Sequence, residues 1–207
     1  MTNPLGTVFV IDDDDAVRNA LRLLLKSVGL AVRTFASAQE FLPTYDAGEP
    51  GCLILDVRMP GMSGLELQQR LNLLGATLPV VFITGHGDIP MAVEAMQHGA
   101  FDFLQKPFRD QDLIDRVQRA LERDASIRTE LKATEEIRRH LATLTPRECE
   151  VLELVAAGKP NKVMAADLGV SQRTVEIHRA RVMEKMQARS LAHLVRMLID
   201  VQRPSRA

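Results

Sequence analysis

The sequence has few of the features that mark secreted, zinc-binding or membrane proteins. It has only two cysteines, Cys52 and Cys149, one in each half and without a partner at disulfide or zinc-site spacing. Its first residues, Met1 to Pro4, precede a short apolar run and four aspartates, which matches neither a signal peptide nor a transit peptide. No apolar stretch approaches membrane-spanning length. We therefore expect a cytoplasmic protein with no membrane partner, in which both cysteines are small buried apolar residues.

Net charge is also small, at −1 for the 207 residues, but it is unevenly distributed. Residues 1–124 hold 17 acidic and 11 basic side chains, a net charge of −6, whereas residues 125–207 hold 10 acidic and 15 basic ones, a net charge of +5. An acidic segment can hold a metal ion but repels nucleic acid, whereas a basic segment can approach phosphates. Solvated surface charge remains an alternative explanation of the basic half.

The first half alternates short apolar runs with longer segments of helical period. Strands that are apolar throughout indicate a parallel sheet covered by helices on both faces. We therefore predict an α/β fold, with a five-stranded parallel doubly wound domain over residues 1–124. The predicted strands are Thr7–Ile11, Ala31–Phe35, Cys52–Leu55, Val80–Ile83 and Phe101–Leu104, and the predicted helices are Ala16–Ser27, Ala38–Tyr45, Gly64–Leu74, Ile89–His98 and Asp110–Arg123.

Polar side chains follow four of these strands, where ligands bind in open α/β sheets. Asp12 and Asp13 follow the first strand, Asp56 ends the third, Thr84 ends the fourth and Lys106 follows the fifth. Carboxylates can bind Mg²⁺, and one of them can accept a phosphoryl group if nearby positive charge neutralises that group. Taken singly, these residues also fit helix capping, a turn and ordinary surface positions. Their shared position favours a phosphoryl-transfer site.

The second half predicts an all-α domain of four helices over residues 141–207. Thr145, Pro146 and Glu148 form a strong helix start, and this helix runs to about Gly158. A helix, a glycine-containing turn and a basic helix together make the helix-turn-helix pattern, although an amphipathic helix with a basic surface is the alternative for the third helix. The later helices are predicted at Asn161–Leu168, after Ser171, and at Ser190–Asp200.

Residues 125–140 are predicted to form a helical linker, because no glycine or proline occurs between Leu121 and Leu144. A narrow apolar stripe along this segment is short of three clean heptads. Pairing of the linker with a second chain and a solvated linker helix therefore both remain open. The stripe consists of Ile127, Leu131, Ile137 and Leu141.

Four segments of the first half resemble the receiver domain of bacterial response regulators. They are Val10–Asp14, Leu55–Gly64, Ile83–Gly87 and Lys106–Phe108. The resemblance implies that Asp56 accepts a phosphoryl group from a sensor histidine kinase. It also implies that Mg²⁺ is held by Asp12, Asp13, Asp56 and the backbone carbonyl of Arg58.

The same resemblance implies how phosphorylation acts. Thr84 would bond the phosphoryl oxygens, Lys106 would pair with them, and Phe103 would be the switch aromatic residue. The bond between Lys106 and Pro107 would be cis. The surface of about Met91–Leu104 would then support formation of a homodimer.

The second half resembles a LuxR-type helix-turn-helix, and with the receiver it is similar to the FixJ/NarL family. The resemblance rests on Leu144–Glu148, Asn161-Lys162, Ala165, Leu168, Val170-Ser171, Thr174-Val175 and His178. It implies a phosphorylation-activated transcriptional regulator, an activator, whose partners are promoter DNA with paired half-sites and RNA polymerase. The third helix would enter the major groove, and the last helix would be a further dimer contact. Bases would face Glu176, Ile177 and Ala180, and phosphates would face Lys162, Arg173, Thr174, Arg179 and Arg181.

Other functions fit the residues less well. An aspartyl-phosphate enzyme needs a general acid two residues after the nucleophile, and Arg58 cannot release a proton. A nucleotide-binding enzyme is disfavoured because Gly85-His86-Gly87 lacks a third glycine and no P-loop occurs. We therefore predict that the chain is not an enzyme. A phosphorylation-independent regulator would usually have lost Asp56 or Lys106. Whether the resting protein is autoinhibited or simply monomeric remains open.

Overall fold

The structure is a computed structural model and describes residues 6–85 and 89–202. These residues form two compact units, one ending at Arg128 and the other beginning at Thr129. The first unit holds a five-stranded parallel sheet with helices, and the second is entirely helical, so the predicted fold class is confirmed. Within the described ranges, no helix is long and apolar enough to cross a membrane.

The first unit follows the predicted alternation of strands and helices. Its strands are β1 (Thr7–Ile11), β2 (Ala31–Phe35), β3 (Gly51–Asp56), β4 (Val80–Thr84) and β5 (Asp102–Gln105). Its helices are α1 (Asp15–Ser27), α2 (Ala38–Phe41), α3 (Gly64–Leu73) and α4 (Ile89–Gln97), followed by α5, which begins at Asp110 and ends at Ala142.

Two of the predicted helices differ from the observed ones. The segment predicted as one helix at Ala38–Tyr45 is α2 followed by a 3₁₀ turn at Leu42–Thr44, where Pro43 cannot donate an α-helical hydrogen bond. Helix α5 extends far beyond Arg123, as the lack of helix breakers in the linker indicates.

The sheet order is β2-β1-β3-β4-β5. Successive residues of a strand point to opposite faces, so each strand contributes to two cores. Phe9 and Leu53 lie in one core with α2 and α3, whereas Val8 and Ile54 lie in the other with α1 and α5. Burial on both faces places the polar residues of this unit at the strand ends.

The helices of the second unit are α6 (Pro146–Ala156), α7 (Asn161–Leu168), α8 (Gln172–Lys185) and α9 (Leu191–Gln202). Thr145 caps α6 together with Glu148, which confirms the predicted helix start. Gly169 adopts a left-handed conformation (φ 65°) at the end of α7, and Ser171 caps α8. The predicted helix, turn and helix are therefore present.

The cysteine prediction was right for one residue and wrong for the other. Both cysteines are free thiols, and Cys52 is buried in the sheet. Cys149 is only half-buried, because it lies on α6 beside the exposed Glu150 rather than facing the helical core. Of the linker stripe, Ile137 is buried and Leu141 packs in the core of the second unit, whereas Leu131 is exposed.

Candidate functional site

Three of the predicted strand-end residues are in direct contact. The ammonium group of Lys106, after β5, lies 2.9 Å from Oδ1 of Asp56 and 3.0 Å from Oδ2 of Asp12. Asp56 is the last residue of β3, and Asp12 directly follows β1, which pairs with β3. The sheet therefore brings a cation between two carboxylates that are far apart in the sequence.

The carboxylate of Asp56 is half-buried and has donors on both oxygens. Oδ1 accepts from Lys106, and Oδ2 accepts from the backbone N–H of Arg58 at 2.7 Å. Burial raises the pKa of Asp56 above its ordinary value and outweighs the opposing hydrogen bonds from Lys106 and Arg58, while the charge of Asp12 raises it further. Burial thus disfavours the anionic form that a nucleophile requires, and the hydrogen bonds from Lys106 and Arg58 offset part of this effect.

Lys106 is held in place by its main chain and its side chain. Its N–H donates to the carbonyl oxygen of Thr84 at 2.7 Å, so the ends of β4 and β5 are joined beside the carboxylates. Burial alone would lower the pKa of Lys106, but the hydrogen bonds and charges of Asp56 and Asp12 together raise it. The ammonium group therefore remains charged at neutral pH.

The remaining predicted pocket residues differ in how far they are buried. Thr84 is buried at the end of β4, and Phe103 is half-buried on β5, opposite Phe82 of β4. Asp13 and Arg58 are exposed. The peptide bond between Lys106 and Pro107 is cis, as predicted. His86 and Gly87 of the third motif lie outside the described residues.

The carboxylates suit a hard cation that retains water. Among residues 6–85 and 89–202, no three His, Cys, Asp or Glu side chains are close enough to form a ready-made metal centre. Mg²⁺ usually needs only one or two carboxylates, with waters and phosphate oxygens as its other ligands. The carboxylates of Asp12 and Asp56, together with that of the neighbouring Asp13, therefore fit Mg²⁺, which keeps several waters, better than a metal ion whose ligands all come from the protein.

Gly64, the first residue of α3, allows that helix to approach Asp56. A Cβ atom at position 64 would lie 2.2 Å from the carbonyl oxygen of Asp56. We expect Gly64→Ala to lower the free energy of unfolding by about 1–3 kcal/mol, because backbone must move, and to slow phosphorylation of Asp56. Urea titration and a phosphorylation time course measure the two effects. Gly85→Ala is the control, since a Cβ there meets no atom within 4 Å; equal effects of both changes would contradict the prediction.

The second candidate site is the exposed surface of α8. Arg173, Glu176, Ile177, Ala180 and Arg181 are all exposed, and their spacing places them on one side of the helix. Buried valines on the opposite side hold α8 in the core. Ile177 is 47% exposed among charged residues, and such an exposed apolar side chain is typical of a surface that binds a partner.

Other residues predicted to face DNA have partners within the protein. Arg179 is half-buried and donates a hydrogen bond to the side chain of Asn161, the first residue of α7. The hydroxyl group of Thr174 is bonded to that of Ser171 at 2.8 Å, in the cap of α8. Lys162 is exposed. His178 is half-buried. Arg179 and Thr174 thus also fix the geometry of the helix-turn-helix.

Lys185, the last residue of α8, joins this helix to α6 and to the residue that follows α5. Its ammonium group lies 2.6 Å from the buried carboxylate of Glu148 and 3.0 Å from the carbonyl oxygen of Thr143. Glu148 also accepts from the N–H of Thr145 at 2.8 Å. The hydrogen bond from Lys185, followed by that from Thr145, lowers the pKa of Glu148 to about 2.

This shift predicts acid sensitivity of the second unit. The folded-state pKa of about 2 is below the ordinary value of 4.5, so the stability that Glu148 contributes is present above about pH 4.5 and is lost as the pH falls towards 2. We expect Glu148→Gln to lower protection of α6 at neutral pH and to flatten its pH dependence in this window. Hydrogen exchange of α6 peptides in the full chain measures both. The control is Glu150→Gln at the exposed ion pair with Arg147; identical pH profiles of the two variants would contradict the assignment.

Sequence reasoning missed the internal partners of the basic residues. In the sequence, Lys185 is only one of the cations of the basic third helix, and no pattern assigns a role to Arg128. Arg128 is bonded to the buried Asp124, four residues earlier on α5. The i, i+4 spacing of opposite charges was the available signal, but it is usual on solvated helices and does not reveal burial.

Known proteins match the chain over both units. A model of the response regulator receiver domain matches residues 8–118, and a model of the luxR family of bacterial regulatory proteins matches residues 142–198. The transcriptional regulatory protein FixJ of Azorhizobium caulinodans is 53% identical over 195 residues, which cover 93% of this chain and 91% of that protein. Nodulation protein W of Bradyrhizobium diazoefficiens is 51% identical over 190 residues, covering 92% and 84% respectively.

Solved structures give the same result. The response regulator StyR has a TM-score of 0.85 at 46% identity, covering 93% of this chain and 98% of StyR. Full-length FixJ from B. japonicum has a TM-score of 0.61 at 42% identity, covering 97% and 98%. The chain therefore belongs to the FixJ-type response regulators of two-component systems, which are phosphorylation-dependent transcriptional regulators with a receiver domain and a LuxR-type DNA-binding domain.

Proposed function

We propose that Asp56 accepts a phosphoryl group from a sensor histidine kinase and that its phosphorylation drives dimerisation and promoter binding. The observation that carries this proposal is the ammonium group of Lys106, which contacts both Asp56 and Asp12 at the strand ends. A receiver domain implies a histidine kinase as partner, and a LuxR-type domain implies DNA.

The proposed reaction is nucleophilic substitution at phosphorus. A carboxylate oxygen of Asp56 forms the new bond to phosphorus, and the bond from phosphorus to the imidazole nitrogen of the kinase breaks. The electron pair of the broken bond stays on that nitrogen. Lys106 balances the charge of the transferring group, to which the pocket otherwise offers two carboxylates.

Receiver domains of this kind bind Mg²⁺, and its proposed ligands are Asp12, Asp13, Asp56 and the carbonyl oxygen of Arg58. The bound ion supplies charge neutralisation and orients the phosphoryl oxygens. The contacts of Asp12 and Asp56 with the same ammonium group of Lys106 support this ligand set. Asp13 follows Asp12 in the chain and is exposed, so its carboxylate is open to an ion from solvent.

The proposed switch runs from Thr84 to the surface of Met91–Leu104. The hydroxyl group of Thr84 would bond the phosphoryl oxygens beside Lys106, and Phe103 would turn inwards. Val93 and Met96 support a dimer surface here, because both are large apolar side chains exposed on α4. A resting state that is simply monomeric and an autoinhibited one both fit this switch.

The proposed DNA interface is the exposed side of α8. Glu176, Ile177 and Ala180 would read bases in the major groove, where a glutamate can accept from cytosine and apolar groups can contact a thymine methyl. Exposed Lys162, Arg173 and Arg181 would contact phosphates. Arg179 would reach a phosphate with the guanidinium donors that its bond to Asn161 does not use, and Thr174 would do so with its hydroxyl group if Ser171 donates in their shared bond.

We propose that the protein acts as a regulator and not as an enzyme that turns over a diffusible substrate. It would activate transcription in the cytoplasm, as a dimer on paired half-sites that recruits RNA polymerase, with α9 as a further dimer contact. We propose boundaries of 1–124 for the receiver, 125–140 for the linker and 141–207 for the DNA-binding domain.

Phosphorylation of the wild type and of Asp56→Asn tests this function. Each protein is treated with Mg²⁺ and acetyl phosphate, and mass, sedimentation and binding to a DNA duplex are measured. The duplex is selected from a random pool by the phosphorylated wild type. We expect only the wild type to gain a phosphoryl group, dimerise and bind more tightly. Equal binding by both proteins, with or without the donor, would show that the receiver is a passive module.

A further inference from the structure

Helix α5 belongs to both compact units. Leu113, Val117 and Leu121 are buried in the core of the receiver unit, whereas Ile137 is buried in the core of the second unit. Between them, residues 129–133 are all exposed. Just before this exposed stretch, α5 makes a set of polar contacts with the receiver unit.

Those contacts are made by a buried ion pair, Asp124 and Arg128. Asp124 is fully buried, and its Oδ2 accepts from Nε of Arg128 at 2.7 Å and from the backbone N–H of Gly51 at 3.0 Å. Gly51 is the first residue of β3, the strand that ends at Asp56. One end of β3 thus bears the phosphoacceptor and the other end is bonded to α5.

Arg128 binds a loop of the receiver with its remaining donors. Its guanidinium group donates to the carbonyl oxygens of Ala47 at 2.9 Å, Gly48 at 3.1 Å and Glu49 at 2.6 Å. The planar guanidinium fork suits this arrangement, which an ammonium group could not reproduce. We call Asp124, Arg128 and residues 47–51 the α5 clamp.

The loop in the α5 clamp is itself fixed. The N–H of Gly48 donates to the side chain of Asp46 at 2.7 Å, and Glu49 pairs with Arg33 of β2 at 3.0 Å. The N–H of Thr7 in β1 donates to the carbonyl oxygen of Pro50 at 2.9 Å. Because β1 and β2 both hold the loop, Arg128 is bonded to the sheet and not to a loose segment.

A buried ion pair is a costly way to stabilise a helix. Desolvation offsets much of the attraction, and apolar residues of similar size often stabilise as well or better. The ion pair instead fixes the position of the helix, because several directional hydrogen bonds can form together at only one rotation and one axial position of α5. This geometry is needed where a helix must carry a change from one unit to another.

We propose that the α5 clamp fixes the rotation of helix α5 on the receiver, so that the change at Asp56 reaches the DNA-binding unit through one rigid helix. Arg128 is then a positioning residue for signalling, distant from the phosphorylation pocket. The inference rests on the proposed function, because it concerns how phosphorylation of Asp56 is passed on.

The test compares full-length wild type, Arg128→Met, Arg128→Lys and the matched control Arg123→Met. Arg123 is exposed on the same helix and within the receiver unit. Each protein is treated with Mg²⁺ and acetyl phosphate. Intact mass gives the phosphorylation of Asp56, titration of the selected DNA duplex gives the gain in affinity, and hydrogen exchange is followed for peptides of residues 121–136.

We expect both Arg128 variants to be phosphorylated like the wild type but to lose most of the phosphorylation-dependent gain in DNA affinity. Exchange of residues 121–136 should be roughly tenfold faster, because the end of the helix can open locally. Arg128→Lys keeps the charge beside Asp124 but not the three bonds to carbonyls, so it should lose the gain while remaining folded. Arg123→Met should behave as the wild type.

If the phosphorylated Arg128 variants keep the wild-type gain, the clamp only stabilises the receiver and the inference is wrong. Should Arg128→Met fail to fold because Asp124 is left unpaired, Arg128→Lys and the neutral pair Asp124→Asn with Arg128→Met decide by the same measurements. A fully phosphorylated wild type without any gain would instead overturn the proposed function, and the clamp's role in signalling with it.

Discussion

Replacing Lys106 with methionine should slow phosphorylation of Asp56 by acetyl phosphate by about 10²-fold or more. The ammonium group lies 2.9 Å from Asp56 and 3.0 Å from Asp12, so its removal leaves a phosphoryl group facing two carboxylates without this cation. Removing one preorganised donor from a site of developing negative charge typically costs about 10²–10³ in rate. A time course of intact mass at saturating Mg²⁺ measures the effect.

The control for this change is Lys26→Met, which removes the same charge from an exposed position on α1. It should leave the rate unaltered. Thermal unfolding of both variants shows whether the receiver remains folded. If folded Lys106→Met is phosphorylated at the wild-type rate, Lys106 does not neutralise the transferring group, and its contacts with the two aspartates are purely structural.

Two leucines on α3 should respond very differently to the same substitution. Leu71 is 2% exposed and packs in the core beneath the sheet, whereas Leu73 is 89% exposed. Leu71→Ala should lower the free energy of unfolding by about 2–5 kcal/mol, because it removes buried methyl groups and leaves a cavity. Leu73→Ala should change it by less than about 0.5 kcal/mol.

Tyrosine fluorescence makes this comparison specific to the receiver. The chain has one tyrosine and no tryptophan, and Tyr45 follows the 3₁₀ turn after α2 in the receiver unit. A urea titration followed by this signal therefore reports on that unit. Similar losses of unfolding free energy in the two variants would mean that Leu73 is buried like Leu71, contrary to the prediction.

Much of the receiver could be predicted from the sequence because its signals are local. Strands such as Val80–Thr84 are buried on both faces, so they are apolar throughout and stand out against amphipathic helices. The prediction of one helix at Ala38–Tyr45 was wrong after Phe41, because Pro43 cannot donate an α-helical hydrogen bond and the chain forms a 3₁₀ turn there. The pocket was predictable since parallel strands place their carboxyl ends at one edge.

The helix-turn-helix shows where local signals stop. The start of α6 at Thr145 and the turn at Gly169 follow from capping and glycine chemistry. The roles of the basic side chains do not follow from such local signals. Lys185 and Arg181 are similar in sequence context, yet Lys185 pairs with Glu148 and Arg181 is exposed.

The sequence by itself determined the order of strands and helices, the chemistry of the strand ends and the uninterrupted helix α5, because each depends on residues close together in the chain. The tertiary structure alone decided which leucine of α3 is buried, which cations pair within the protein, and that Arg128 meets the carbonyl oxygens of residues 47–49. The contacts of Arg128 join residues about eighty positions apart, and that of Lys185 with Glu148 joins residues 37 positions apart. Their formation depends on how whole elements pack, which no local pattern of residues specifies.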